Sequence, residues 1–130
     1  MKIHHVGVAV TDIDEAIRLY TSMFGAELIQ RGKSDIDALE AALLRAGESE
    51  VELLRPLRDD TSVAKFLARR GPGLHHLAVA VEDIDQALAD AREQGMELID
   101  QTPRIGLHGK RIAFIHPKSF GGVLTELVEE

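Results

Sequence analysis

The stretch "IHHVGVAVTDIDEAIR", residues 3–18, returns as "LHHLAVAVEDIDQALA" at residues 74–89. With an offset of 71, positions 3–16 match positions 74–87 at nine of fourteen places: His4, His5, Val8, Ala9, Val10, Asp12, Ile13, Asp14 and Ala16 each meet an identical residue. After a single-residue gap the likeness resumes, "GAELI" at 25–29 against "GMELI" at 95–99, so the repeated unit is about 27 residues long. Two copies are too few to stack as a solenoid, which usually needs about three or more. The reading that fits is a duplicated module with pseudo-twofold symmetry.

Each copy opens on a short valine-rich segment bounded by acidic turn residues, the pattern of a buried strand. A helix follows. In the first copy Ile13, Ala16, Ile17 and Tyr20 recur at helical spacing, Thr11 or Asp12 caps the start and Gly25 closes the end. Asp83 and Gly95 stand in the same roles in the second copy. Strand-like segments come next: "AELIQRG" and "ESEVELLRPL" in the first half, "MELID", "KRIAFIHP" and "GGVLTELVEE" in the second. Each half therefore reads β-α-β-β-β, and the expected fold class is α+β with two tandem βαβββ modules. "SDIDALEAALLRAG", 34–47, sets two signals against each other, since Ala and Leu favour helix while its place in the module asks for a strand. "TSVAKFLARRG", from Thr61, reads as a short helix joining the halves, with Val63, Phe66 and Leu67 on one face. The expected division of this single domain is a first module over about 1–58, the joining helix over about 60–71 and a second module over about 72–130.

A chain of 130 residues with 45% hydrophobic content suits one globular domain. No run approaches the roughly 20 apolar residues of a membrane helix. Strand-like residues begin at Ile3, so neither a signal nor a transit peptide is expected, and the expected location is cytoplasmic. The absence of cysteine excludes disulfides and thiolate metal sites, which leaves His, Asp, Glu or neutral oxygen donors for any metal. A formal charge of −7 with few aromatic residues argues against a nucleic-acid surface. A small molecule or another protein is the expected partner.

Successive side chains on a strand point to opposite faces, so His4, Val6, Val8 and Val10 share one face while His5, Gly7 and Ala9 share the other. The bulky set suits packing beneath the helix. His5 is followed on its own face by small residues, as His76 is by Ala78 and Ala80, which leaves concave space above the sheet. His5 and His76 are thus the ligand candidates. Each half also supplies a carboxylate inside an apolar strand, Glu52 at 47 residues past His5 and Glu126 at 50 past His76. For either glutamate alone the solvent face of an edge strand would be the simpler account; together the four residues make a His2Glu2 set. Imidazole and carboxylate without thiolate suit a divalent first-row metal with positions open to water or substrate: Co, Mn, Ni, Fe or Zn.

These residues resemble those of the vicinal oxygen chelate superfamily and, within it, the methylmalonyl-CoA epimerase family. The resemblance runs essentially end to end through "IHHVGVAVTDIDEAI", "VELLRPL", "SVAKFLARRGPGLHHLAV" and "PRIGLHGKRIAFIHPKSFGGVLTELVE". The first motif is shared across the superfamily, whereas "HGKRIAFIHPKSFGGVL" is much narrower. The resemblance implies paired modules that form a curved mixed sheet around a metal, with His5, Glu52, His76 and Glu126 as its ligands. It further implies a 1,1-proton transfer that interconverts (2R)- and (2S)-methylmalonyl-CoA, an acyl-CoA partner and a homodimer. Proton delivery to the face opposite the one deprotonated is most simply provided by two bases. Glu126 and a carboxylate that falls on Glu40 are the expected pair, with Asp37 as the fallback for Glu40.

The segment from Arg104 to Lys118 gathers basic residues in an acidic protein. Lys110, Arg111, His116 and Lys118 are candidates for substrate contact, and solvated surface charge accounts for them equally well. His108 is a further candidate. "SFGG", 119–122, reads as a tight turn in preference to a phosphate-cradling loop. The alternatives on the same scaffold are a glyoxalase I-like lactoylglutathione lyase, an extradiol-type dioxygenase and a non-catalytic small-molecule-binding protein. "HPKSFGGVL" argues against the first, a fourth ligand at Glu52 against the second, and the full ligand set against the third.

Overall fold

The two copies of the repeat fold alike in the computed structural model, which describes residues 2–130 and divides into two compact units. One unit runs His5–His75; the other comprises His76–Glu130 with residues 2–4. The first unit takes strand β1 (Lys2–Ala9) from His5 onward. It continues through helix α1 (Ile13–Phe24), strands β2 (Glu27–Ser34), β3 (Leu39–Ala46) and β4 (Ser49–Pro56), and helix α2 (Ser62–Arg70). Its strands follow the order β2-β3-β4-β1, antiparallel except that β1 runs parallel to β4. The second unit holds β5 (Gly73–Val81) from His76, helix α3 (Ile84–Glu93), and strands β6 (Arg104–Ile105), β7 (Arg111–Ile115) and β8 (Thr125–Glu129). Their order is β5-β8-β7-β6, with β5 parallel to β8. The α+β class with a βαβββ plan in each half is the one expected from the repeat.

The helix signals act as read. The Asp12 carboxylate accepts from the Glu15 N–H at 3.0 Å and that of Asp83 from the Gln86 N–H at 3.0 Å, each satisfying a donor that the helix leaves over. Gly25 ends α1 at φ 63°, a left-handed conformation that glycine adopts without steric cost. Each helix buries its apolar stripe on one face of its own strands. Ile13 and Ala16 pack with Val10, Ala42, Leu44 and Leu53, while Ile84, Leu88 and Ala91 pack with Ala113, Ile115 and Leu127. The opposite face of each strand array is the one that carries His5 or His76.

The contested segment 34–47 is a turn followed by β3. Its backbone groups pair with β2 on one side and β4 on the other, and Glu40 through Leu44 are buried, so two ladders and a core override helix propensity. The strand expected over "MELID" is a correction: the segment makes a single bridge, Leu98 with Ile115. The Asp100 carboxylate accepts from the Phe114 N–H at 2.8 Å, taking a ladder donor for itself, and Pro103 has none to give. Pairing resumes only in the two residues of β6. "SFGG" is a turn, with Gly121 and Gly122 at φ 62° and 97°.

Candidate active site

In the first unit the register of β1 on β4 sets Gly7 beside Glu52, so alternation puts His5 and Glu52 on one face, away from α1. His5 Nε2 lies 3.6 Å from Glu52 Oε1. The second unit repeats this. Ala78 and Phe114 flank Glu126 in register, and His76 Nε2 lies 3.1 Å from Glu126 Oε1. All four side chains are buried, at 3% exposure for His5, 7% for Glu52, 5% for His76 and 5% for Glu126. A ring nitrogen and a carboxylate oxygen held this close in a dry setting repel through their lone pairs unless a proton or a cation is shared between them. Nitrogen and oxygen donors arranged this way fit a divalent first-row metal ion.

Glu40 lies elsewhere on the sheet. The register of β3 on β4 opposes Glu40 to Arg55 and Leu43 to Glu52, which turns Glu40 to the face that carries α1. There its carboxylate accepts from Arg55 Nε and Nη2 at 3.1 and 2.9 Å and from Arg31 Nε at 3.0 Å. Arg31 also reaches Asp14 on α1 at 2.8 Å. Burial pushes the Glu40 carboxyl up, but the hydrogen bonds from Arg55 and Arg31 together hold it below its ordinary value. Asp37, the fallback, is exposed and its backbone N–H bonds the Ser34 hydroxyl at 3.1 Å. The structure therefore does not bring Glu40 to the face of Glu52.

Residues 4–114 match the glyoxalase/bleomycin resistance protein/dioxygenase superfamily. The chain belongs to this superfamily. It is similar to the mitochondrial methylmalonyl-CoA epimerase of Dictyostelium discoideum, at 34% identity over 99% of this chain and 78% of the relative. Among solved structures it is similar to the methylmalonyl-CoA epimerase of Mycobacterium tuberculosis, with 42% identity, TM-score 0.94, and 98% of this chain and 87% of that one covered. A methylmalonyl-CoA epimerase in complex with methylmalonyl-CoA and NH4+ matches at 36% identity and TM-score 0.95, over 99% of this chain and 94% of that one. The fold is that of the vicinal oxygen chelate proteins. No helix among the described residues is long and apolar enough to cross a membrane.

Within this vicinal oxygen chelate fold Arg111, Lys110 and Lys118 are each engaged by a carboxylate. Arg111 reaches Asp85 at 2.8 Å and Glu129 at 3.2 Å, and the Asp85 hydrogen bond is the main cause of its raised proton affinity. It alternates with Ile112, which shares the face of Phe114 and Glu126, so it faces α3 and not the Glu126 side. Lys110 pairs with Glu130 at 3.6 Å, and Lys118 with Glu97 at 2.7 Å. His116 caps the short 3-10 turn Pro117–Phe120, its Nδ1 accepting from the Lys118 N–H at 3.1 Å. Sequence reasoning missed Phe114, whose ring meets His76 edge-on at 5.6 Å and which opposes Glu126 in register. The signal for it was the antiparallel hairpin of "RIAFI" with "TELVE", which aligns Phe114 with Glu126 once the turn at 117–122 is recognised.

Proposed function

We propose that this chain is an epimerase that interconverts (2R)- and (2S)-methylmalonyl-CoA by a 1,1-proton transfer at the carbon bearing the methyl group. The observation that carries this is its match, over nearly its whole length, to an epimerase structure that holds methylmalonyl-CoA. A divalent ion, Co, Mn, Ni, Fe or Zn, would be held by His5, Glu52, His76 and Glu126; the close imidazole–carboxylate pair within each unit, His5 with Glu52 and His76 with Glu126, supports this donor set. Such an ion supplies electrophilic stabilisation of the charge that builds on the thioester oxygen.

The chain's own groups do the rest. Gly7, Ala9, Ala78 and Ala80 keep the histidine-bearing faces low, which leaves room for a ligand. Glu126 takes the proton from C2, and its burial beside the apolar Ala78 and Phe114 keeps competing water away. Inversion needs a second acid–base group, protonated, to return a proton to the opposite face of the planar enolate. Glu40 is assigned to the ion pairs that tie β3, β4 and α1 together. The reading also takes the protein as a single-domain, cytoplasmic homodimer.

The test is a coupled assay in which an enzyme specific for one epimer consumes a racemic methylmalonyl-CoA pool. Adding this protein with divalent metal should let the whole pool be consumed; consumption that stops at half would refute the reading. The same preparation offered a glutathione hemithioacetal checks the lyase alternative and is expected to leave it unchanged.

A further inference from the structure

We propose that Arg104 binds an anionic oxygen group of the acyl-CoA ligand beside the His76–Glu126 pair, an assignment that rests on the epimerase reading. Arg104 pairs in register with Ile112, which alternates with Arg111 and shares the face of Phe114 and Ala78. Arg104 is therefore on the face of Glu126, whereas Arg111 is on the other. Its guanidinium lies 5.9 Å from the centre of the Phe114 ring, and that ring is the one set edge-on against His76. A short chain of contacts thus runs from Arg104 through Phe114 to His76, all within the second unit.

The support beneath Arg104 is specific. Asp100 accepts from Arg104 Nε at 3.4 Å with one oxygen and from the Phe114 N–H at 2.8 Å with the other, so one carboxylate fixes the guanidinium and the strand beneath it. Arg104 keeps 43% of its side chain exposed, which leaves it within a ligand's reach. Lys110, Arg111 and Lys118 meet carboxylates at 2.7–3.6 Å in positions that tie down the C-terminus, α3 and the 3-10 turn. A protein with a net charge of −7 that takes an anionic thioester needs local positive charge at its site. A planar guanidinium suits this role because its fork matches a carboxylate or phosphate with two parallel hydrogen bonds.

The test is calorimetric binding of methylmalonyl-CoA, propionyl-CoA and coenzyme A to the metal-loaded protein, wild type against Arg104→Met and Arg104→Lys. Arg104→Met keeps the apolar cover over Phe114 and should weaken methylmalonyl-CoA by about tenfold or more, with Arg104→Lys between it and wild type. A loss confined to methylmalonyl-CoA assigns the substrate carboxylate; an equal loss for all three assigns the coenzyme A phosphates. Either supports the proposal. Changes below twofold for all three ligands, with melting temperature and metal content unaltered, overturn it. Should Arg104→Met fold poorly, Arg104→Lys and Arg104→Gln carry the same comparison. Wild type that binds none of the three compounds would instead bring down the epimerase reading itself, and this proposal with it.

Discussion

Glu126 and Glu40 are both buried glutamates on strands, yet their surroundings differ. Glu126 sits beside His76 on the face away from the helix, whereas Glu40 is gripped by two arginines on the helix face. Glu126→Gln should lower proton exchange at C2 by about 100-fold or more, in the range expected for loss of a general base, while the protein still melts cooperatively. Glu40→Gln should leave exchange within a few-fold of wild type and cost about 1–3 kcal/mol of stability, read by urea unfolding at pH 7. The sign with pH follows from the lowered carboxyl. Its stabilisation is fully present above the ordinary value of 4.5 and is lost as pH falls through the lower folded value. The stability gap between wild type and Glu40→Gln should therefore close in acid; a gap that stays constant from pH 7 to pH 3 would refute the ion-pair role. The pairing of His5 with Glu52 and of His76 with Glu126 was legible in the sequence because the repeat presents one histidine and one glutamate in each half. The face of Glu40 was not, because it depends on the register of β3 against β4, which residue type does not determine.

At the level of elements, the two units solve the same packing problem with opposite charges. Counting from the ligand glutamate, Arg55 and Glu129 stand three residues on, and their cross-strand partners are Glu40 and Arg111. In each unit an arginine then reaches the second residue of the helix, Arg31 to Asp14 and Arg111 to Asp85. The positions of Arg55 and Glu129 are equivalent and the signs are exchanged. Exchanging the charges at one site by Glu40→Arg with Arg55→Glu should recover part of the stability that either change alone removes, measurable as a coupling in a double-mutant cycle. The caps are independent of these pairs: Asp12→Ala and Asp83→Ala should each cost about 1 kcal/mol. Helices α1, α2 and α3 were legible from apolar spacing and caps. Segment 34–47 carries conflicting signals and "MELID" looks like a strand in sequence, because ladder pairing in one and the Asp100 carboxylate in the other decide the backbone through partners distant in sequence.

For the whole molecule, the proposed function rests on each repeat supplying one histidine and one glutamate to chemistry next to a thioester. A resident ion that binds the folded chain and not the unfolded one raises stability by mass action, so chelator treatment should lower the melting temperature and readdition of Co or Mn should restore it. Variants His5→Ala and His76→Ala should both lose that response, one from each unit, whereas Arg104→Lys should keep it. The measurement that bears most directly on the account is proton NMR of (2R)- and (2S)-methylmalonyl-CoA in D2O with the metal-loaded wild-type protein. The expected result is loss of the C2 proton signal into solvent deuterium together with interconversion of the epimers, abolished by chelation and by Glu126→Gln. A folded, fully metallated wild type that leaves the C2 proton in place would contradict it.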